Sequence, residues 1–360
     1  MVSISREAEA LFTLLQAGLW EQEPDNLEVF PLFAGEWWSV FRMARMQTVT
    51  GIVYRGICHL PDCLLPPDDI LVRWLAEADA IERKNKKMDV VLANLYALFR
   101  RNGIQAVLQK GQGVAQFYEY PCLRICGDID FYFPDKEEAK RADALVKGGE
   151  RKPDGSLCYL WNGIVVEHHR YLTDLNNPYM QDFIEGYAAT CGYHSFRLTA
   201  SEEVEIKVPA PTVNLLLLDV HLLKHALGRG IGLRQFCDMA RAYYRLCHVV
   251  DFGEITRLYT MAGIWKWSNL LHSFLSGYLA LPSACLPPSG RKVSPDKLAN
   301  KVLREGNFGQ QAVPLPSMSR LRKLQTLQAF FRNAGFAFRY APGEAYWTLL
   351  NLVKGNFSRE

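Results

Sequence analysis

Gly127-Asp128-Ile129-Asp130-Phe131-Tyr132-Phe133 decides the fold. Ile129, Phe131 and Phe133 alternate with Asp128, Asp130 and Tyr132, the period of two that belongs to a half-buried β-strand, and Pro134 ends it. Asp128 and Asp130 stand two apart, so their carboxylates leave the strand on one side and repel each other. Aspartate is also disfavoured in strands. Two readings stand side by side: the solvated face of an edge strand, or a pair of oxygen ligands for a hard divalent cation. Such a cation relieves the repulsion and keeps open positions for substrate phosphates.

Working outward, Ile104–Gln109 is a short apolar run between Gly103 and Gly111 and reads as a buried strand. A helical turn near Gln112–Tyr118 follows it, broken at Pro121. On the other side, Asp135 and Glu138 form a capping pair for a helix running to Gly148-Gly149. Leu157–Trp161 and Ile164–Arg170 are β-type runs separated by Asn162-Gly163, which predicts a tight hairpin. On its second strand Val165, Glu167 and His169 share one face, while Ile164, Val166 and His168 share the other. Glu167 is therefore a candidate third carboxylate. Two acids would hold metal, and the third would bind a second ion or take a proton from an attacking hydroxyl.

The flanks are helical. Ile70, Leu71, Trp74, Leu75, Ala78 and Ile81 set the period of a helix over Asp68–Arg101, stopped by Asn102-Gly103. After Pro211, Thr212 is a candidate cap for Val213–Leu227, Gly228–Gly232 is a glycine-rich break, and Leu233–Cys247 resumes the helical period. Leu281–Pro295, with four prolines, reads as a loop. The expected class is α+β in three regions: helical 1–103, a sheet domain at 104–210 and helical 211–360. A length of 360 residues with 49% hydrophobic and 22% charged composition excludes global disorder. A net charge of +3 is too small for a dedicated nucleic-acid or membrane-surface binder. The most apolar stretch is interrupted by Asp219, His221, Lys224 and His225, so it is a buried helix rather than a membrane span. The N-terminus lacks a basic region followed by an apolar run, and the nine cysteines include no Cys-x-x-Cys; a cytoplasmic protein with reduced thiols is expected.

The order Lys110-Gly111-Gln112-Gly113, Tyr120-Pro121, Arg124, Gly127-Asp128-Ile129-Asp130, Glu167-His168-His169 is similar to the signature of the uncharacterised nucleotidyltransferase family of the polymerase-β-like superfamily. His221, Lys224, His225, Leu233-Arg234, Asp238 and the turn Gly306-Asn307-Phe308-Gly309 continue that order, so the resemblance spans most of the chain. It implies a small mixed sheet bearing the acids, flanked by helices, and transfer of a nucleoside monophosphate from a nucleoside triphosphate to a hydroxyl acceptor. Asp128, Asp130 and Glu167 would be the catalytic and metal residues, with Mg²⁺ or alternatively Mn²⁺ as the ion. Lys110, Gly111, Arg124 and His169 would contact the nucleotide. One departure stands out: the superfamily commonly places Gly-Ser at the start of the helix after the first strand, and here Lys110-Gly111 occupies that place with no serine. Phosphate binding then falls to the Lys110 ammonium and to backbone N–H groups of the following helix.

Other residues have structural readings. Leu222 stands where a zinc protease needs its glutamate, so His221 and His225 belong to a buried polar patch with Asp238 or to a cleft wall. Arg124 pairs with the acids or binds a phosphate. His168 is structural, Trp37, Trp38, Trp265 and Trp267 are core or interface residues, and Arg83–Lys87 is a solvated helix face. The acceptor is a small molecule, a glycan or a protein; neither nucleic acid nor membrane is expected as a partner. Two rivals remain, a catalytically silent nucleotide-binding module and a metal-dependent glycosyltransferase. The latter predicts an αβ nucleotide-binding region before residue 100. Asparagine at either Asp128 or Asp130 is expected to leave the metal-free protein as stable or slightly more so.

Overall fold

Four helices open the chain: α1 (Arg6–Trp20), α2 (Ala34–Met46), α3 (Thr50–Ile57) and α4 (Asp68–Arg101). The computed structural model describes residues 4–152, 154–173, 175–198, 201–228, 230–288, 293–306 and 319–357. Positions 307–309 of the glycine turn considered above lie outside them. α4 begins after Pro67 with Asp68 and Asp69 in its first turn and ends with Arg100 and Arg101, charges that complement the helix dipole at each end. Its 34 residues give a rod of roughly 50 Å. Ile70 and Trp74 of its first half are buried in a helical core, whereas Met88, Leu92, Leu95 and Phe99 of its second half are buried against the sheet.

The sheet is built from β1 (Val107–Gln109), β2 (Ile129–Tyr132), β3 (Glu150–Arg151), β4 (Leu157–Trp161) and β5 (Ile164–His169) in the order β1-β2-β5-β4-β3. Between β1 and β2 lies α5 (Gly111–Ala115), and α6 (Lys136–Ala144) follows β2. β2 and β5 are parallel; the other neighbours are antiparallel. β2 is thus a central strand with Ile129, Asp130 and Phe131 all buried, which overturns the solvated edge-strand reading of the Asp-x-Asp pair. The hairpin forms as its sequence requires, with Asn162 at φ 51° and Gly163 at φ 76°, the left-handed pair of a type I′ turn.

Several boundaries differ from the expectations. Of the 104–109 run only Val107–Gln109 is strand, the following helix stops at Ala115, and α6 stops at Ala144. Next come α7 (Pro178–Cys191), β6 (Tyr193–Leu198) and β7 (Ser201–Pro209), the last two forming a separate antiparallel ribbon. α8 (Pro211–Leu227) starts with its proline at the first helical position, so Thr212 lies inside the helix rather than capping it. α9 (Leu233–Leu246), α10 (Phe252–Met261), α11 (Trp265–Tyr278), α12 (Asp296–Glu305), α13 (Ser319–Tyr340) and α14 (Pro342–Phe357) complete the α+β chain. Buried residues of α8, α9 and α11 join those of α1, α2 and α3 in one helical core, beside the smaller core of the sheet. Among the described residues no strand precedes Val107, and no helix is long and apolar enough to cross a membrane.

Candidate active site

Register across three strands builds the site. Gln109 of β1 stands opposite Asp130 of β2, and Asp130 stands opposite Glu167 of β5, so all three side chains share one face of the sheet. His169 follows two residues after Glu167 on that same face. Its Nε2 lies 2.6 Å from Asp130 Oδ1 and 3.7 Å from Glu167 Oε2. Lys152, from the turn before β4, donates to Glu167 Oε1 at 2.5 Å. Asp128, one residue ahead of β2, lines the same cavity of about 330 Å³ as Asp130 and Glu167.

The two aspartates are electrostatically unlike. The negative charge of Asp130, then burial and Glu167, push the Asp128 carboxyl up to about 6, against the pull of Lys110 and Arg234. Burial opposes ionisation of Asp130 too, but Lys110 and the His169 hydrogen bond hold its carboxyl well below the usual carboxylate range. The face therefore carries negative charge that the protein only partly compensates. One ligand atom from each of Asp130, Glu167 and His169 lies within 4.8 Å of the other two, a spacing that one ion with bonds of about 2.1 Å bridges with small side-chain rotations. A divalent cation fits this donor set. The compact group differs from the expected three acids: His169 takes the third place, and Asp128 stands beside it.

Lys110 has the backbone conformation φ 49°, ψ −141°, which side-chain-bearing residues rarely adopt, and Gly111 follows at φ 41°. This tight turn at the end of β1 keeps Lys110 on the cavity wall. α5 has only five residues, too short for a full helix dipole, so the Lys110 ammonium, and not the helix end, is the strong positive group at this turn.

Arg124 does not meet the acids as expected. Its fork grips Asp238 of α9, with Nε to Oδ1 at 2.9 Å and Nη2 to Oδ2 at 2.5 Å, and Tyr118 donates to the same Oδ1 at 2.8 Å. The pair is buried and locks the segment before Asp128 to the C-terminal helices. α4 holds that segment from the other side: the Asn85 amide donates to Cys122 O and Arg124 O, and Lys84 Nζ to Cys126 O at 2.9 Å. Lys84 is accordingly a clamp and not merely part of a solvated face. Asp238 being taken, His221 and His225 stand instead on the cavity wall, their rings edge to face with centroids 4.4 Å apart. Burial and then Lys110 lower both imidazoles, His225 to about 3, so both rings are neutral. His168 is structural, fully buried between Asp143 and Tyr159.

Arg234, which follows Leu233 in the motif order quoted above, lines the cavity as well. Lys152, Asn214 and Thr173 also line it but lie on segments with no motif around them.

The site is a sheet face that gathers acids beside a lysine turn, with helices lining the rest of the cavity. The family model described as uncharacterised nucleotidyltransferase matches residues 34–274, and the chain belongs to that family. The match takes in α4, the whole sheet and the helices that close the cavity. A solved structure, an antigenic nucleotidyltransferase-like protein from Paracoccidioides brasiliensis, aligns at 14% identity over 55% of this chain and 95% of that one with a TM-score of 0.34, a likeness too low to carry an argument. No curated protein matches this sequence.

Proposed function

We propose that this chain is a metal-dependent nucleotidyltransferase that moves a nucleoside monophosphate from a nucleoside triphosphate to a hydroxyl acceptor. One observation carries the reading: Asp130 and Glu167 stand in register on adjacent parallel strands, with His169 and Asp128 beside them, in a cavity that Lys110 also lines. Asp130, Glu167 and His169 would hold a divalent ion. Carboxylate oxygens suit Mg²⁺, and the imidazole makes Mn²⁺ at least as good a match. When bound, the ion supplies charge neutralisation at the reacting phosphate and at the leaving diphosphate.

The chain's own residues do the rest. Lys110 places an ammonium where phosphate charge must be held. Lys152, on the same cavity wall, would hold Glu167 in place through its hydrogen bond to Oε1. The buried Arg124–Asp238 pair, with Asn85 and Lys84, fixes the approach to Asp128 and thereby the spacing of the acids. Asp128, which lines the same cavity, would be the carboxylate that takes the hydroxyl proton. The acceptor is a small molecule, a glycan or a protein, and cytoplasmic action remains part of the proposal.

The test is incubation with Mg²⁺ or Mn²⁺ and α-phosphate-labelled triphosphates against cell extract. A labelled acceptor that disappears with Asp130→Asn is the expected result; no label with any triphosphate defeats the reading. The missing serine at Lys110-Gly111 favours a second reading, a nucleotide-binding module without turnover, which predicts binding at equilibrium but no label. The glycosyltransferase reading loses its footing, because the described residues before β1 contain helices and no strand.

A further inference from the structure

α8 runs along one wall of the cavity, and its two ends differ in chemistry. Asn214, Leu217, His221 and Lys224 recur at the three- and four-residue steps that put side chains on one helix face, and all four line the cavity. From Asn214 to Lys224 is roughly 15 Å of helix axis. The Lys224 end is cationic. Lys110 is the charged group that acts most strongly on Lys224 and on both histidines, lowering Lys224 to about 8 in concert with burial.

The Asn214 end is neutral and contains unmet hydrogen-bonding capacity. Asn214 and Thr173 are each 6% exposed and both line the cavity. The Thr173 hydroxyl has no hydrogen-bond partner, and the Asn214 side-chain amide makes none among the described residues. The two sit at the same end, since their chain neighbours Leu172 and Val213 share one apolar cluster with Leu217 packed against it. A buried hydroxyl without a partner costs roughly 1–3 kcal/mol. Such groups are rare in native structures and call for an explanation.

We propose that this end of the cavity is the nucleobase subsite, where Asn214 and Thr173 hydrogen-bond the edge of the base and Leu217 lies against its face. The chemistry fits a base better than a phosphate or an ion: an amide presents a donor and an acceptor side by side, a hydroxyl offers either, and Asp219, the charged residue of α8 nearest to them in sequence, does not line the cavity. Tyr171, about half exposed at the mouth, adds a ring on which a base stacks. The nucleotide then lies along α8 with its phosphates toward Lys110 and Lys224. This inference rests on the nucleoside-triphosphate reading above and adds the base selectivity and orientation.

Calorimetric titration of the full chain with ATP, GTP, CTP, UTP and inorganic tripolyphosphate, each with Mg²⁺, tests it. Wild type should prefer one triphosphate. Asn214→Leu and Thr173→Val, close in volume to the residues they replace, should each weaken that preferred triphosphate by roughly tenfold, flatten the ranking and leave tripolyphosphate within twofold. Lys224→Met should weaken tripolyphosphate and all four triphosphates alike, showing that the folded cavity still reports separately on its two ends. If wild type binds the four equally, or if the Asn214 and Thr173 variants keep the wild-type ranking, the base subsite is overturned while the nucleotidyltransferase reading stands. If wild type binds no triphosphate, both fall.

Discussion

β5 presents a histidine on each face of the sheet, His168 to Asp143 of α6 and His169 to Asp130 of β2, and the two faces treat these pairs in opposite ways. On the inner face His168 Nδ1 lies 2.8 Å from Asp143, which Arg151 and Arg170 also grip, and Phe99, Phe131 and Phe133 surround the ring. Burial opposes ionisation of Asp143, yet His168 and the two arginines hold its carboxyl below the ordinary range. On the cavity face His169 meets Asp130, but Glu167 and Asp128 stand beside them. The inner cluster is neutralised by the protein itself. The outer one gathers three carboxylates, which Lys152, Lys110 and His169 offset only in part, and that difference is what the proposed metal role rests on.

The largest expected effect breaks the inner cluster. Asp143→Ala removes the partner of a buried histidine and two arginines and should cost about 3 kcal/mol, read by denaturant unfolding, with metal-dependent melting retained. An equal loss of metal response would mean that the faces are not independent. Next comes Asp130→Asn. The favoured charge of Asp130 makes this change cost about 1–2 kcal/mol without metal, contrary to the expectation from like-charge repulsion alone. It should also abolish the melting rise that metal gives wild type, worth about 2.7 kcal/mol at a hundredfold excess over Kd.

Asp128→Asn should act in the opposite sense. A carboxyl raised to about 6 in the folded state contributes stability that is complete below its unfolded value near 4 and is lost as pH rises toward 6. Asp130, shifted the other way, contributes stability above pH 4 that is lost in acid. Between pH 4 and 6 metal-free wild type should therefore lose roughly 1–2 kcal/mol more than Asp128→Asn, a figure discounted for partial exposure, since Asp89 and Asp219, which burial also raises, titrate alike in both. Melting curves across that window check it; identical profiles would refute the contrast between the two acids. The smallest effect is Gly163→Ala, which places a Cβ at φ 76° in the hairpin turn and should cost about 1 kcal/mol while metal affinity holds within a few-fold.

The local parts of this site were legible because local rules write them. Asn162-Gly163 specifies its turn within two residues, and alternation along Ile164–His169 assigns Glu167 and His169 to one face. The Asp130–Glu167 register was not legible, because parallel pairing joins segments 37 residues apart with no turn to fix it. β6 escaped because most of its residues are partly or fully exposed on both faces, leaving no alternation to read. α7 does carry a local signal: Asn177 caps the helix through its side chain and Pro178 takes the first position. The Arg124–Asp238 pair is not legible either, because the two lie 114 residues apart and only tertiary packing brings α9 near.

α4 carries a consequence for how the molecule comes apart. One continuous rod supplies buried side chains to both cores, Ile70 and Trp74 to one and Met88 through Phe99 to the other, so neither can melt without exposing half of it. Calorimetry should accordingly show a single transition, and a fragment beginning at residue 104 should collapse into an aggregating species rather than a working miniature. Anyone wishing to transplant the acid-bearing sheet into another scaffold would have to carry at least the second half of that rod along with it.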